Sequence, residues 1–170
     1  NFTAGIKSKY DMRLIDIIKN KNSGNKIVKS SITKTINTMD DTKYISKSNG
    51  FYFPFNLDTT KIKKSEIDNF ITIPSLEGSN IKPSHQGLVI FVGKKKDLPG
   101  NTIIIYHDDN YITVYSNLIE TYVNKGEIIS NIEKEIGKPG KTLHFSLKRL
   151  VNEKLEDFDF KKILKKREKN

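Results

Sequence analysis

Three histidines, His85, His107 and His144, carry all the imidazole chemistry open to this chain, and no cysteine accompanies them. A hydrolytic metal site needs about three protein ligands, an open position and a base beside the bound water. Without thiolates, such a site would have to combine these imidazoles with carboxylates. The acidic pairs Asp40-Asp41 and Asp108-Asp109 are the other candidates for acid–base work, as paired carboxylates serve in glycosidases. Both pairs stand in turn-like contexts, where aspartate is favoured for its local backbone bonds, and they read as solvated turns. Lys94-Lys95-Lys96 follows Gly93 and reads as a solvated hairpin tip rather than a phosphate or polymer contact. The aromatic run Phe51, Tyr52, Phe53 and Phe55 has the faces to stack on sugars or bases, yet packing in a small β core explains it more simply. A phosphate-cradling glycine loop and a nucleophile elbow are both absent.

Positioning these groups falls to a chain of 170 residues, the size of one ordinary domain or a smaller domain with extensions. No apolar run approaches the ~18 residues that span a bilayer, which excludes a membrane-spanning helix in this stretch. The lack of cysteine excludes a disulfide scaffold. Net charge is +10, but 27 of the 30 basic residues are lysine, whereas base-reading proteins lean on arginine, so no specific nucleic-acid partner is expected. The excess is uneven. Residues 1–48 hold 10 basic and 4 acidic side chains, against 13 and 11 in residues 49–150 and 7 and 5 in residues 151–170. The front segment reads as a solvated basic extension that is also able to touch an anionic surface.

Periodicity divides the chain in three. Residues 1–48 form the basic extension, with an amphipathic helix expected over Tyr10–Lys21 because Met12, Ile15 and Ile18 share a face. Residues 49–150 read as a β domain. Strands are expected at Phe51–Phe55, cut by Pro54 and so at an edge, and at Asn69–Ile73, Gly87–Val92, Asn101–Tyr106, Tyr111–Tyr115, Ile128–Ile129 and Leu143–Leu147. Glycine, proline and Asp-Asp-Asn signals separate them. Residues 151–170 are expected to close the chain as a basic helix and tail, with Leu155, Phe158, Ile163 and Leu164 as the apolar side over Leu155–Lys166.

The order of these pieces carries a resemblance. Ile71-Thr72-Ile73, Gly78, Gly87-Leu88-Val89 and Gly93 come first, followed by Asn101 to His107 and Thr113-Val114-Tyr115-Ser116-Asn117-Leu118. Val123-Asn124-Lys125-Gly126, Ile136-Gly137-Lys138-Pro139-Gly140 and Leu143-His144-Phe145 complete it. The set resembles the LytM/lysostaphin-type zinc metallopeptidase domain over about Gly50 to Leu150. The resemblance implies a mainly β fold, the antiparallel sandwich- or barrel-like duplicated hybrid motif, here with a short N-terminal and a C-terminal helix. In that family a His and an Asp of a first motif and the second His of His-x-His hold zinc. The first His of that motif and the His of Tyr-x-His-Leu act on the water and the oxyanion. Counted back from Gly87, the Asp position falls on Thr72 and the first His on Asp68. The His of Tyr-x-His-Leu falls on Asn117, and the first His of His-x-His falls on Thr142. Only His144 matches. His107 matches a strand-end residue that is not a ligand, and His85 has no family role.

Neither Thr nor Asn ligates zinc usefully or serves as a base near neutral pH. The resemblance therefore implies a degenerate, catalytically inactive member with no zinc cofactor and no catalytic residues. Its former active-site groove would be lined by Asp68, Thr72, Asn117, Thr142 and His144. Family members without the zinc residues activate cell-wall amidases in cell division, so the expected partner is a peptidoglycan hydrolase or peptidoglycan itself. The expected location is the periplasm or cell envelope. The chain begins at Asn1 rather than Met, read here as processing or trimming, with removal of a signal peptide or lipoprotein anchor as one origin. Two other readings stand beside this one: an active wall endopeptidase in which His85, His107 or a carboxylate converges on His144, and a nucleic-acid or membrane-surface binder driven by residues 1–48. Composition and spacing leave the oligomeric state undefined.

Overall fold

A computed structural model describes residues 51–56, 59–64, 70–75, 79–157 and 163–167. In chain order they form β1 (Phe51–Tyr52), a 3-10 turn (Thr59–Lys61), β2 (Lys63–Lys64), β3 (Ile71–Pro74), β4 (Gly87–Lys94) and β5 (Asn101–Tyr106). A second 3-10 turn (Asp108–Asn110), β6 (Tyr111–Thr121), β7 (Ile128–Ile129), β8 (Gly137–Val151), β9 (Lys154–Asp157) and β10 (Leu164–Lys165) follow. The fold is mainly β, as the sequence led one to expect. The expected helix over Tyr10–Lys21 and the groove residue Asp68 lie outside the described residues.

An eight-stranded antiparallel sheet runs in the order β2-β3-β8-β6-β5-β4-β7, with β9 added alongside β8. Alternation along each strand builds a separate core on each face. On β5, Ile103 and Ile105 enter one core with Ile71, Ile73, Val89, Tyr115, Leu143 and Phe145. Ile104 and Tyr106 enter the other with Phe70, Leu88, Ile90, Leu98, Ile112 and Val114. Phe51, Phe53 and Phe55 are buried in the first core, so that aromatic run packs the interior. The Asp108–Asn110 turn reverses the chain between β5 and β6, with Asp109 and Asn110 at φ 60° and 65°, values that Asp and Asn tolerate best after glycine.

The stretch read as a closing helix needs correction. Residues 154–157 are strand β9 and residues 164–165 are strand β10, while residues 158–162 lie outside the described set. The cause is the two-residue turn Asn152-Glu153, whose φ values of 49° and 64° are those of a hairpin turn matched to strand twist. It folds Lys154–Asp157 back onto Lys148–Val151. The i, i+3 spacing of Leu155 and Phe158 fits a helix, but the turn fixes the geometry first. β10 pairs in parallel with β1, Phe51 opposite Leu164, and the Phe53 N–H donates to the Lys165 carbonyl at 2.9 Å.

Arg167 locks this closure. Its guanidinium, with a side chain only 6% exposed, donates from Nε to the Phe53 carbonyl at 2.6 Å, from one terminal nitrogen to the Ile132 carbonyl at 3.0 Å and from the other to the Pro83 carbonyl. Glu133 lies 3.6 Å away as counter-ion, and the Tyr52 ring sits under the cation at 5.7 Å.

Candidate functional site

The register of the sheet places the predicted site residues in adjoining rows on one face. Thr72 on β3 is opposite His144 on β8, and Pro74 is opposite Thr142. On the other side of β8, His144 is opposite Ser116 of β6. Directly paired residues project to the same face, so Thr72, His144 and Ser116 stand side by side across three strands. The Thr102 hydroxyl of β5 continues the row by donating to Ser116 Oγ at 3.1 Å. Ser116 in turn donates to the Pro99 carbonyl at 2.8 Å. The Leu98-Pro99-Gly100 turn thus folds over the β5–β6 end of the row, where Ser116 and Thr102 are buried. Thr72, Thr142 and His144 remain half-exposed.

Asn117 shows how the edge of this cleft is built. The β6–β8 register shifts between Ser116 and Leu118, whose partners His144 and Pro139 are five positions apart on β8, and Asn117 stands opposite the extra β8 residues at φ 65°. Asparagine is among the few side chains that tolerate this region. The Asn117 N–H donates to the Pro99 carbonyl at 2.8 Å, and its Nδ2 donates to the Thr142 carbonyl at 2.7 Å, tying β6 to β8 where their register shifts. Gly100 must be glycine here: its φ is 60°, and a Cβ would come within 2.9 Å of Asn117 Cα. Asn117→Ala removes the side-chain bond while keeping the strained φ. We expect a loss of about 1–2 kcal/mol, with Asn117→Gly losing less, measured by urea unfolding. An alanine variant as stable as the parent would contradict this role.

Burial lowers the pKa of the His144 imidazole, and its Nδ1 is buried without a hydrogen-bond partner. Two residues on, Ser146 Oγ is also buried and unpartnered. Ser116, Thr102 and Ser146 were not picked out from the sequence. The signal was available, since Ser146 sits at i+2 from His144 and so shares its face.

His144 stands among described residues that do not make up a zinc ligand set. Its cross-strand neighbours are the hydroxyls of Thr72 and Ser116, and neutral hydroxyls are poor zinc ligands. Among the described residues no three His, Cys, Asp or Glu side chains come together. Nor do the other histidines converge on His144. Thr113 and Tyr115 alternate with Ser116 along an unshifted stretch of β6, so they face away from it, and His107 is bonded on that opposite side. His107 Nδ1 donates to the Gln86 carbonyl at 2.6 Å, and its Nε2 accepts from Thr113 Oγ1 at 2.7 Å. Thr113 accepts from the Tyr115 hydroxyl at 2.7 Å, which accepts the Ser84 N–H at 2.9 Å. A carbonyl can only accept, so Nδ1 carries the proton and Nε2 is the acceptor. Burial first, then the neighbouring His85, push the His107 pKa down to about 3, against a raising contribution from the Gln86 carbonyl. His85 meets it edge to face, ring centroids 6.0 Å apart. Both imidazoles serve the fold on this face.

The pattern of peptidase family M23 matches residues 67–157, more than half of the chain. Among solved structures, a zinc containing peptidase from Vibrio cholerae is 22% identical, with 64% of this chain and 39% of that chain covered and a TM-score of 0.47. The antimicrobial peptidase lysostaphin from Staphylococcus simulans is 16% identical over 64% of this chain and 47% of its own, at TM-score 0.46. A complex of SpoIIIAH and SpoIIQ is 18% identical over 68% and 94%, at TM-score 0.43. The chain spans less than half the length of the first two. No curated protein matches the sequence.

Proposed function

The chain belongs to peptidase family M23, and we propose that it is a member that binds without cutting. In this reading the groove bounded by Asp68, Thr72, Asn117, Thr142 and His144 holds a peptidoglycan hydrolase of the amidase type or peptidoglycan itself, in remodelling of the cell wall at the cell envelope. The observation that carries the reading is the pairing of Thr72 with His144. The carry-over from the family puts the zinc-binding carboxylate at that cross-strand position, and a hydroxyl stands there instead. A cleft that loses its metal ligands keeps its shape and its hydrogen-bonding groups, and shaped polar clefts are where ligands bind. Residues 1–48, with their basic excess, would add an electrostatic contact to an anionic surface.

The test pairs retention with turnover. Purified protein is mixed with isolated sacculi and, separately, with a purified wall amidase. Retention on one of them, weakened at least tenfold by Thr72→Ala together with His144→Ala, is the expected result. Solubilised wall fragments should not accumulate without added amidase. Release of peptide fragments by the protein alone would overturn the reading.

A further inference from the structure

The row through His144 extends one strand further than the family comparison reaches. Lys63 of β2 is paired directly with Thr72, which is paired with His144. Lys63 therefore shares their face, at the open end of the row opposite the Pro99 turn. Neighbouring strands lie about 5 Å apart, so one small group lying over Thr72 is within reach of the Lys63 ammonium, the Thr72 hydroxyl and the His144 ring. Lys63 is exposed. Among the described residues, neither its ammonium nor the Thr72 hydroxyl is spent on a hydrogen bond or ion pair, and His144 Nδ1 is unpartnered. From Lys63 through Thr72, His144 and Ser116 to Thr102 the row contains no carboxylate. Two unspent donors, one of them cationic, suit an acceptor-only anion, with the half-exposed His144 ring beside them, and charge-assisted bonds of this kind are the strong ones. The chain's own front segment is a poor occupant, because residues 1–48 carry 10 basic against 4 acidic side chains.

Resting on the groove reading above, we propose that Lys63, Thr72 and His144 form a carboxylate-binding subsite, and that the group it takes is a free carboxylate of a wall peptide. Lys63 fixes the charge and Thr72 and His144 fix the position.

Co-sedimentation with three wall preparations tests this: native sacculi, sacculi whose carboxylates have been converted to amides, and sacculi stripped of phosphodiester polymers with hydrofluoric acid. Retention should fall at least tenfold on amidated sacculi and hold on acid-stripped ones. Lys63→Gln should reproduce the tenfold loss on native sacculi and add nothing on amidated ones. Lys96→Gln, which removes the same charge from the exposed β4–β5 hairpin tip, should change retention less than twofold. Equal losses for Lys63→Gln and Lys96→Gln, or retention that follows the phosphodiesters, would overturn the subsite and leave the groove reading standing. Retention on no wall preparation would overturn the wall-carboxylate subsite as well. The groove reading would then be decided by the amidase arm of the earlier experiment.

Discussion

An Arg167→Ala variant is expected to lose about 3–5 kcal/mol of unfolding free energy, read as a lowered urea midpoint at unchanged slope. One guanidinium satisfies three backbone carbonyls, those of Phe53, Pro83 and Ile132, which come from three separate segments. A hydrogen bond to a charged group contributes about 1.5–3 kcal/mol, and a buried acceptor left bare costs its full desolvation. Truncation also uncovers the junction of β1 with β10, where Leu164 completes the first core. Arg167→Lys should recover only part of the loss, because an ammonium on a single stem cannot reproduce the planar fork. A loss below about 1 kcal/mol in the alanine variant would mean that the closure is held by β1–β10 pairing alone.

The second large effect is acid destabilisation through His107. Its folded-state pKa is lowered from 6.5 to about 3, so between those values the unfolded chain binds a proton that the folded chain excludes. Stability from this group is complete above pH 6.5 and is lost as pH falls toward 3, with a slope approaching about 1.4 kcal/mol per pH unit. The lowered pKa of half-buried His144 acts in the same direction. Protonation would force a second N–H onto Nε2, which now accepts from Thr113, and would place a cation in the apolar surroundings of Phe51 and Tyr111. Urea unfolding between pH 7.5 and 4.5 should show the slope, and ring ¹⁵N shifts of His107 should stay those of the neutral Nδ1–H form throughout. Titration of that ring near pH 6.5 in the folded protein would contradict the buried chain.

The strands were the most readable part of the sequence. Asn101–Tyr106 and Ile128–Ile129 form where alternation and turn signals put them, Tyr111–Tyr115 forms the first half of the longer β6, and Leu143–Leu147 forms the centre of the longer β8. The site was readable only through spacing. Thr72 and Thr142 were placed by counting along motifs, and they lie near one another because β3 and β8 pair without a shift from Pro74–Thr142 to Ile71–Phe145. Features set by long-range contact were not readable. Arg167 looked like one more basic residue of a tail, because the carbonyls it binds lie 35, 84 and 114 positions away. The Leu155 stretch looked helical because a turn of positive-φ residues two positions earlier leaves no mark in apolar periodicity. Lys63 was not singled out from the sequence, and only the pairing of β2 with β3 puts it beside Thr72. Asn117 read as a lost catalytic position, but its bond to the Thr142 carbonyl makes it the residue that ties β6 to β8 at the register shift.

The loss of the zinc site is the claim on which the proposed function turns, and a zinc titration addresses it most directly. Metal-stripped protein is refilled with one equivalent of zinc, dialysed and assayed for bound metal beside His144→Ala. Thr72 opposite His144 and Ser116 on its other side predict that both proteins return to the same low background. One tightly held zinc per chain in the parent, absent from His144→Ala, would contradict the account and restore the hydrolytic reading.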